Sequence, residues 1–173
     1  MPLTPVALQL KDYTFFRIKF GPNEAVPFDM ELQPKTLEAS DLDCVAKILN
    51  EPTEDEDLVL SLEVWITEEA LSENSPCDFA VEMMGRFSLP ETLLGRYNTI
   101  EDIKNGVIRN SVTILYGCIR DLVHTLSVKM PFGTLILPTC SFNYLSIADE
   151  DQEPPQKIPD PQPKAKRSRK SNI

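Results

Sequence analysis

The chain has 173 residues, of which 42% are hydrophobic, and a formal net charge of −10. No uninterrupted apolar run approaches the ~20 residues a membrane-spanning helix needs, and a body this acidic disfavours nucleic acid as a partner. The charge is split unevenly: residues 1 to 148 hold 22 acidic and 11 basic side chains, whereas residues 149 to 173 hold 5 and 6.

That shift marks a boundary. Residues 1–148 are expected to form one domain, since roughly 150 residues suffice for a single core. Residues 149–173 carry Pro154, Pro155, Pro159, Pro161 and Pro163, then Lys164, Lys166, Arg167, Arg169 and Lys170. They are expected to be a disordered, Pro-rich arm with a basic end. The opening Met1-Pro2-Leu3-Thr4-Pro5 lacks a basic stretch followed by an apolar one, so a cytoplasmic location is expected. Cys44, Cys77, Cys118 and Cys140 form no CxxC pair and, with His124 as the one histidine, offer no zinc pattern. Free thiols and no metal or cofactor are the expectation.

In chain order, Val6, Leu8 and Leu10 alternate with polar neighbours as a half-buried strand does. After Asp12 the alternation resumes in altered phase through Phe16, Ile18 and Phe20, which predicts a bulge there. Gly21-Pro22-Asn23 closes the strand. The Pro-framed stretch from Val26 to Pro34 reads as an extended crossover. Residues 35 to 57, with Leu37, Leu42, Val45 and Ile48, fit a strand or a short helix, and strand is the reading adopted. A hairpin follows. Leu58, Leu60, Leu62, Val64 and Ile66 share one face of its first strand, and Phe79, Val81, Met83, Gly85 and Phe87 share one face of its second.

From Ile108 to Pro131 the pattern is helical. Ile108, Val112, Leu115, Ile119, Leu122 and Leu126 recur at steps of four and three, beside Val123 and Met130. Gly117 interrupts them, where glycine costs about 1 kcal/mol relative to alanine, so a bend, a close backbone approach or a tolerated weak spot is expected. Past Pro131, Phe132-Gly133-Thr134-Leu135-Ile136-Leu137-Pro138 reads as an extended apolar connector, and Phe142 to Ile147 as a short helix or turn.

Strands first and helix last predict the α+β class: an antiparallel sheet with helices on one face. One sheet leaves a long helix half naked, so its stripe at Val112, Leu115, Ile119, Leu122 and Leu126 is the expected oligomer interface. No Gly-rich phosphate loop appears, and Ser, Cys and His show no catalytic arrangement, so no enzyme is expected. A nucleic-acid-binding adaptor using Lys164 to Lys170 is an alternative that the acidic body and the absence of interleaved aromatics count against.

Together these residues resemble SecB-type protein-export chaperones. The likeness is carried by Phe20-Gly21-Pro22-Asn23 with Leu32-Gln33-Pro34, by Val81-Glu82 to Phe87-Ser88, and by Ile114-Leu115-Tyr116 with Arg120-Asp121. It continues through Phe132, Leu135 to Leu137, Pro138 and Phe142. It spans roughly residues 5 to 147. Each motif uses common residues, and the ensemble is what is specific.

The resemblance implies a four-stranded antiparallel sheet with one long and one short helix, assembled as a homotetramer, a dimer of dimers. It implies an ATP-independent holdase for non-native polypeptides, with a client groove at Val26, Phe28, Met30, Leu32, Phe132, Leu135, Leu137, Phe142 and Tyr144. Such a groove gains ~25 cal/mol for each Å² of client surface removed from water, without imposing a sequence.

Two departures bear on the client. Gly117 stands where the family often has proline, and Leu32 where it often has tryptophan. The basic end replaces the acidic tail that export members use toward the SecA motor, which argues against that handover. A dedicated chaperone shielding an antitoxin in a toxin–antitoxin–chaperone system, at times serving phage defence, fits this divergence; general delivery to the Sec translocase is the alternative.

Overall fold

The computed structural model describes residues 8–24, 35–51, 57–72, 75–88, 100–130, 133–142 and 147–148. Its framework is a sheet in the order β1 (Gln9–Pro22), β5 (Cys77–Ser88), β4 (Leu58–Ile66), β3 (Leu42–Asn50), β7 (Ile147–Ala148). The first four strands are antiparallel neighbours, and β7 adds two residues parallel to β3. β2 (Lys35–Thr36) and β6 (Leu135–Ile136) form a separate parallel pair. Helix α1 (Glu68–Ser72) joins β4 to β5, and α2 (Ile100–Ser127) lies against the sheet. The α+β reading stands.

Period-two patterning places the sheet's inner face. Leu58, Leu60, Leu62, Val64 and Ile66 of β4 are buried, as are Phe79, Val81, Met83 and Phe87 of β5. Their alternation forces one face of each strand into the core and the other outward. β1 follows less simply. Its pairing with β5 slips between Leu10 and Asp12, the bulge expected near Asp12, and again between Phe15 and Arg17. The second slip overturns the expected phase. Phe15 pairs with Met83 and packs against the core, while Phe16 is 60% exposed.

The long helix starts eight residues before Ile108 and runs without a break through Asn105-Gly106, which in sequence looks like a turn. Its regular part ends at Ser127, short of Pro131, in turns at Val128, Lys129 and Met130. At ~1.5 Å per residue its 28 residues span about 42 Å. The buried row drifts by steps of four through Val107, Ser111, Leu115, Ile119, Val123 and Ser127, with Ile108, Val112 and Tyr116 beside it. Leu122 and Leu126 fall at its margin. Ser111 stays in this apolar row because its hydroxyl donates to the Val107 carbonyl at 2.9 Å.

Gly117 has open space where a Cβ would stand, so the tolerated weak spot holds among the described residues and no backbone presses on it. At Ile147–Ala148 the chain is strand rather than the short helix or turn expected from Phe142 onward. Residues 143–146 and the arm at 149–173 lie outside the described residues.

Candidate functional site

The segment after α2 lies back along that helix. Gly133, at φ 86°, makes the reversal in the left-handed region that glycine tolerates. The buried Ser127 hydroxyl then donates to the His124 carbonyl and accepts the Leu135 N–H, each at 2.9 Å. Thr36 pairs with Ile136, and the Leu37 N–H reaches the Ile136 carbonyl at 3.0 Å. Further on, Arg120 Nη1 donates to Thr139 Oγ1 at 3.3 Å. The Tyr116 hydroxyl donates to the Pro138 carbonyl at 2.9 Å and accepts from the Cys140 thiol at 3.3 Å. The rings of Tyr116 and Phe142 meet edge to face, with centroids 5.3 Å apart. Residues 133–142 thus form a strap held by three helix side chains one or two turns apart.

The strap closes over the core. Leu135, Leu137 and Phe142, expected to line an open groove, are buried within the chain, and Ile136 between them faces outward. The physical reason is the extended backbone, which sends alternate side chains to opposite sides. Val26, Phe28, Met30, Leu32, Phe132 and Tyr144, the other expected groove residues, lie outside the described residues.

Burial shapes the local chemistry. It pushes the Tyr116 phenol well above the usual tyrosine range, and the Cys140 hydrogen bond adds to this. Burial, then Cys140 and Asp43, raises the Cys44 thiol. All four cysteines are free. His124 is exposed on the helix.

Three of the five residues in the stripe read as an oligomer interface are spent inside the subunit, while Leu122 and Leu126 are half-buried. Val112, Leu115 and Ile119 are fully buried, and Leu115 reaches across to Gly85 of β5. A helix lying on its own sheet has no need of a second copy to cover that face. While Leu49, Val128 and Ile136 are exposed elsewhere, three of the exposed large apolar side chains among the described residues lie together on β1. There Tyr13 is 54% and Ile18 48% exposed, with Phe16 beside them in its bulge. Tyr13 pairs with Gly85 and Ile18 with Val81, so both stand on the sheet's inner side but on the edge strand. Alternation alone places Ile18 on the strand's apolar face, with Phe16 and Phe20. That β1 is the edge was not legible in the sequence.

On the outer face, charges cancel in pairs. Arg17 binds Glu63, Lys19 Nζ binds Asp78 Oδ2 at 2.5 Å, and Lys11 Nζ binds Asp57 Oδ1 at 2.8 Å. A shallow depression of about 340 Å³ between Trp65, Leu71 and Ala80 is rimmed by the first two pairs.

In fold the chain is similar to a SecB-like chaperone. The solved structure is that of the Mycobacterium tuberculosis Rv1957 SecB-like chaperone in complex with a ChAD peptide from the Rv1956 HigA1 antitoxin. It has a TM-score of 0.47 and 15% identity, covering 78% of this chain and 88% of that one. A protein of unknown function from Streptococcus agalactiae is also similar, at a TM-score of 0.41 and 8% identity, covering 76% and 96%. No family model matches the chain, and no curated protein matches it.

Proposed function

We propose that the chain is an ATP-independent, SecB-like holdase that binds non-native polypeptides, and that its client is an antitoxin in a toxin–antitoxin–chaperone system. One observation supports this most. Tyr116, Arg120, Pro138 and Phe142, quoted for the family resemblance from separate parts of the sequence, meet at a single place beside the long helix. That place borders the apolar layer that Leu135, Leu137 and Phe142 cover. An apolar layer of this kind binds by removing client surface from water at ~25 cal/mol per Å², and it asks for no fixed sequence. Holding an aggregation-prone segment protects it by mass action, and a competing client withdraws that protection.

The basic stretch from Lys164 to Lys170, unlike the acidic segment that the resemblance associates with SecA, favours an antitoxin client over general export. Delivery to the Sec translocase is the second reading, carried by the same resemblance. The proposed location is the cytoplasm, and the proposed assembly is a dimer of dimers. Because Val112, Leu115 and Ile119 are taken up by the subunit's own sheet, copies are proposed to join through β1 at Tyr13, Phe16 and Ile18. An exposed apolar edge strand is a surface that proteins normally cover.

The test is a pull-down of the tagged full chain from its own host, with identification of the bound polypeptides. One dominant antitoxin is the expected result. A spread of export precursors would move the function to secretion, and capture of no polypeptide would overturn the chaperone reading.

A further inference from the structure

The strap has the form of a bound extended peptide. Over Leu135 to Leu137 it is extended, inserts two leucines at alternate positions and leaves Ile136 outside. Its backbone is taken up by Thr36 and Leu37 on one side and by the Ser127 and Tyr116 side chains on the other. Among the described residues its short β6 pairs with two residues of β2, whereas β4 and β5 are locked between longer neighbours. Few backbone bonds over a buried apolar layer describe a segment that opens more easily than the sheet beneath it.

We propose that residues 133–142 are an internal occupant of the client site, displaced when an extended apolar polypeptide takes their place beside α2. This rests on the chaperone reading above and reverses the role expected of Leu135, Leu137 and Phe142. They compete with the client instead of gripping it. The device has a physical logic: a closed strap keeps the apolar layer dry in the free protein. Apparent client affinity then falls by the fraction of molecules whose strap is open.

Tyr116→Phe tests this, because it removes the donor to the Pro138 carbonyl and the acceptor for the Cys140 thiol while keeping the ring against Phe142. Native-state hydrogen exchange on the full chain, without client, is expected to show strap amides opening while β4, β5 and α2 stay protected. The variant should speed that opening about fivefold, the equivalent of one net hydrogen bond. Exchange of strap amides only together with the sheet overturns the proposal.

The second measurement uses reduced, carboxymethylated α-lactalbumin as a permanently unfolded probe. Capture with loss of strap protection, and about fivefold tighter capture by Tyr116→Phe, is the expected result. Leu137→Ala, which weakens the strap by another route, should also tighten capture. Capture with strap protection kept or increased, or weaker capture by both variants, makes the strap a wall of the site and overturns displacement alone. No capture by any of the proteins, with strap opening intact, overturns the chaperone reading and displacement with it.

Discussion

Leu115 of the long helix sits directly over Gly85 of β5, so close that a Cβ on Gly85 would lie 2.7 Å from Leu115 Cδ2. The same Cβ would lie 2.9 Å from Phe87 Cε2 and 3.1 Å from Leu10 Cδ1. A side chain here would have to displace the tips of Leu115 and Phe87, which fill the space left by the missing Cβ. Gly85→Ala should destabilise the fold by about 1–3 kcal/mol, the usual cost of overpacking. Urea unfolding measures it. In the double variant with Leu115→Ala the costs should fall short of their sum, because the second change removes the tightest of the three contacts.

Gly117 carries the opposite expectation. It lies inside a continuous helix with room for a Cβ. Gly117→Ala should therefore stabilise by about 0.5–1 kcal/mol, read as a rise in thermal midpoint. A loss of stability would mean that the position bends the helix.

Alkaline pH should loosen the strap. Tyr116 holds its proton more tightly when folded than when unfolded. Its contribution is fully present below the unfolded value of about 10 and is lost as pH rises beyond it, at up to about 1.4 kcal/mol per pH unit. Cys44 and Cys118, also raised, act in the same direction from about pH 9. Denaturant midpoints between pH 8 and pH 11 should fall, and Tyr116→Phe should fall less steeply. Equal slopes would show that Tyr116 ionises without cost in the fold.

Arg17 guards the outer face. Glu63 and Glu82 stand directly opposite each other across β4 and β5, and the Arg17 side chain ion-pairs with Glu63. Arg17→Met should cost about 1 kcal/mol or less, as partly exposed pairs do. Added salt should recover much of that loss by screening the two carboxylates. A salt-independent loss would point to packing of the arginine stem instead.

Assembly should respond to β1 rather than to the helix stripe. Ile18→Ser with Tyr13→Ser is expected to lower the mass seen by light scattering while leaving thermal stability nearly unchanged, because both residues are about half exposed. An unchanged mass would place the contact elsewhere.

The sequence by itself determined the class of fold, the paired faces of β4 and β5 and the long helix, because each rests on a local period that repeats many times. It also marked Tyr116, Arg120, Pro138 and Phe142 through their likeness to a family. Only the tertiary structure decided which apolar residues are spent. Val112, Leu115 and Ile119 read as a free face, but a sheet drawn from residues 9–88 lies under them. Leu135 and Leu137 read as a groove lining, yet an extended strap turns them inward. Ile18 read as core, but among the described residues its strand lies at an edge of the sheet. Periodicity says that a side chain wants to leave water. Which surface receives it depends on elements far away in the chain, and no local pattern encodes that distance.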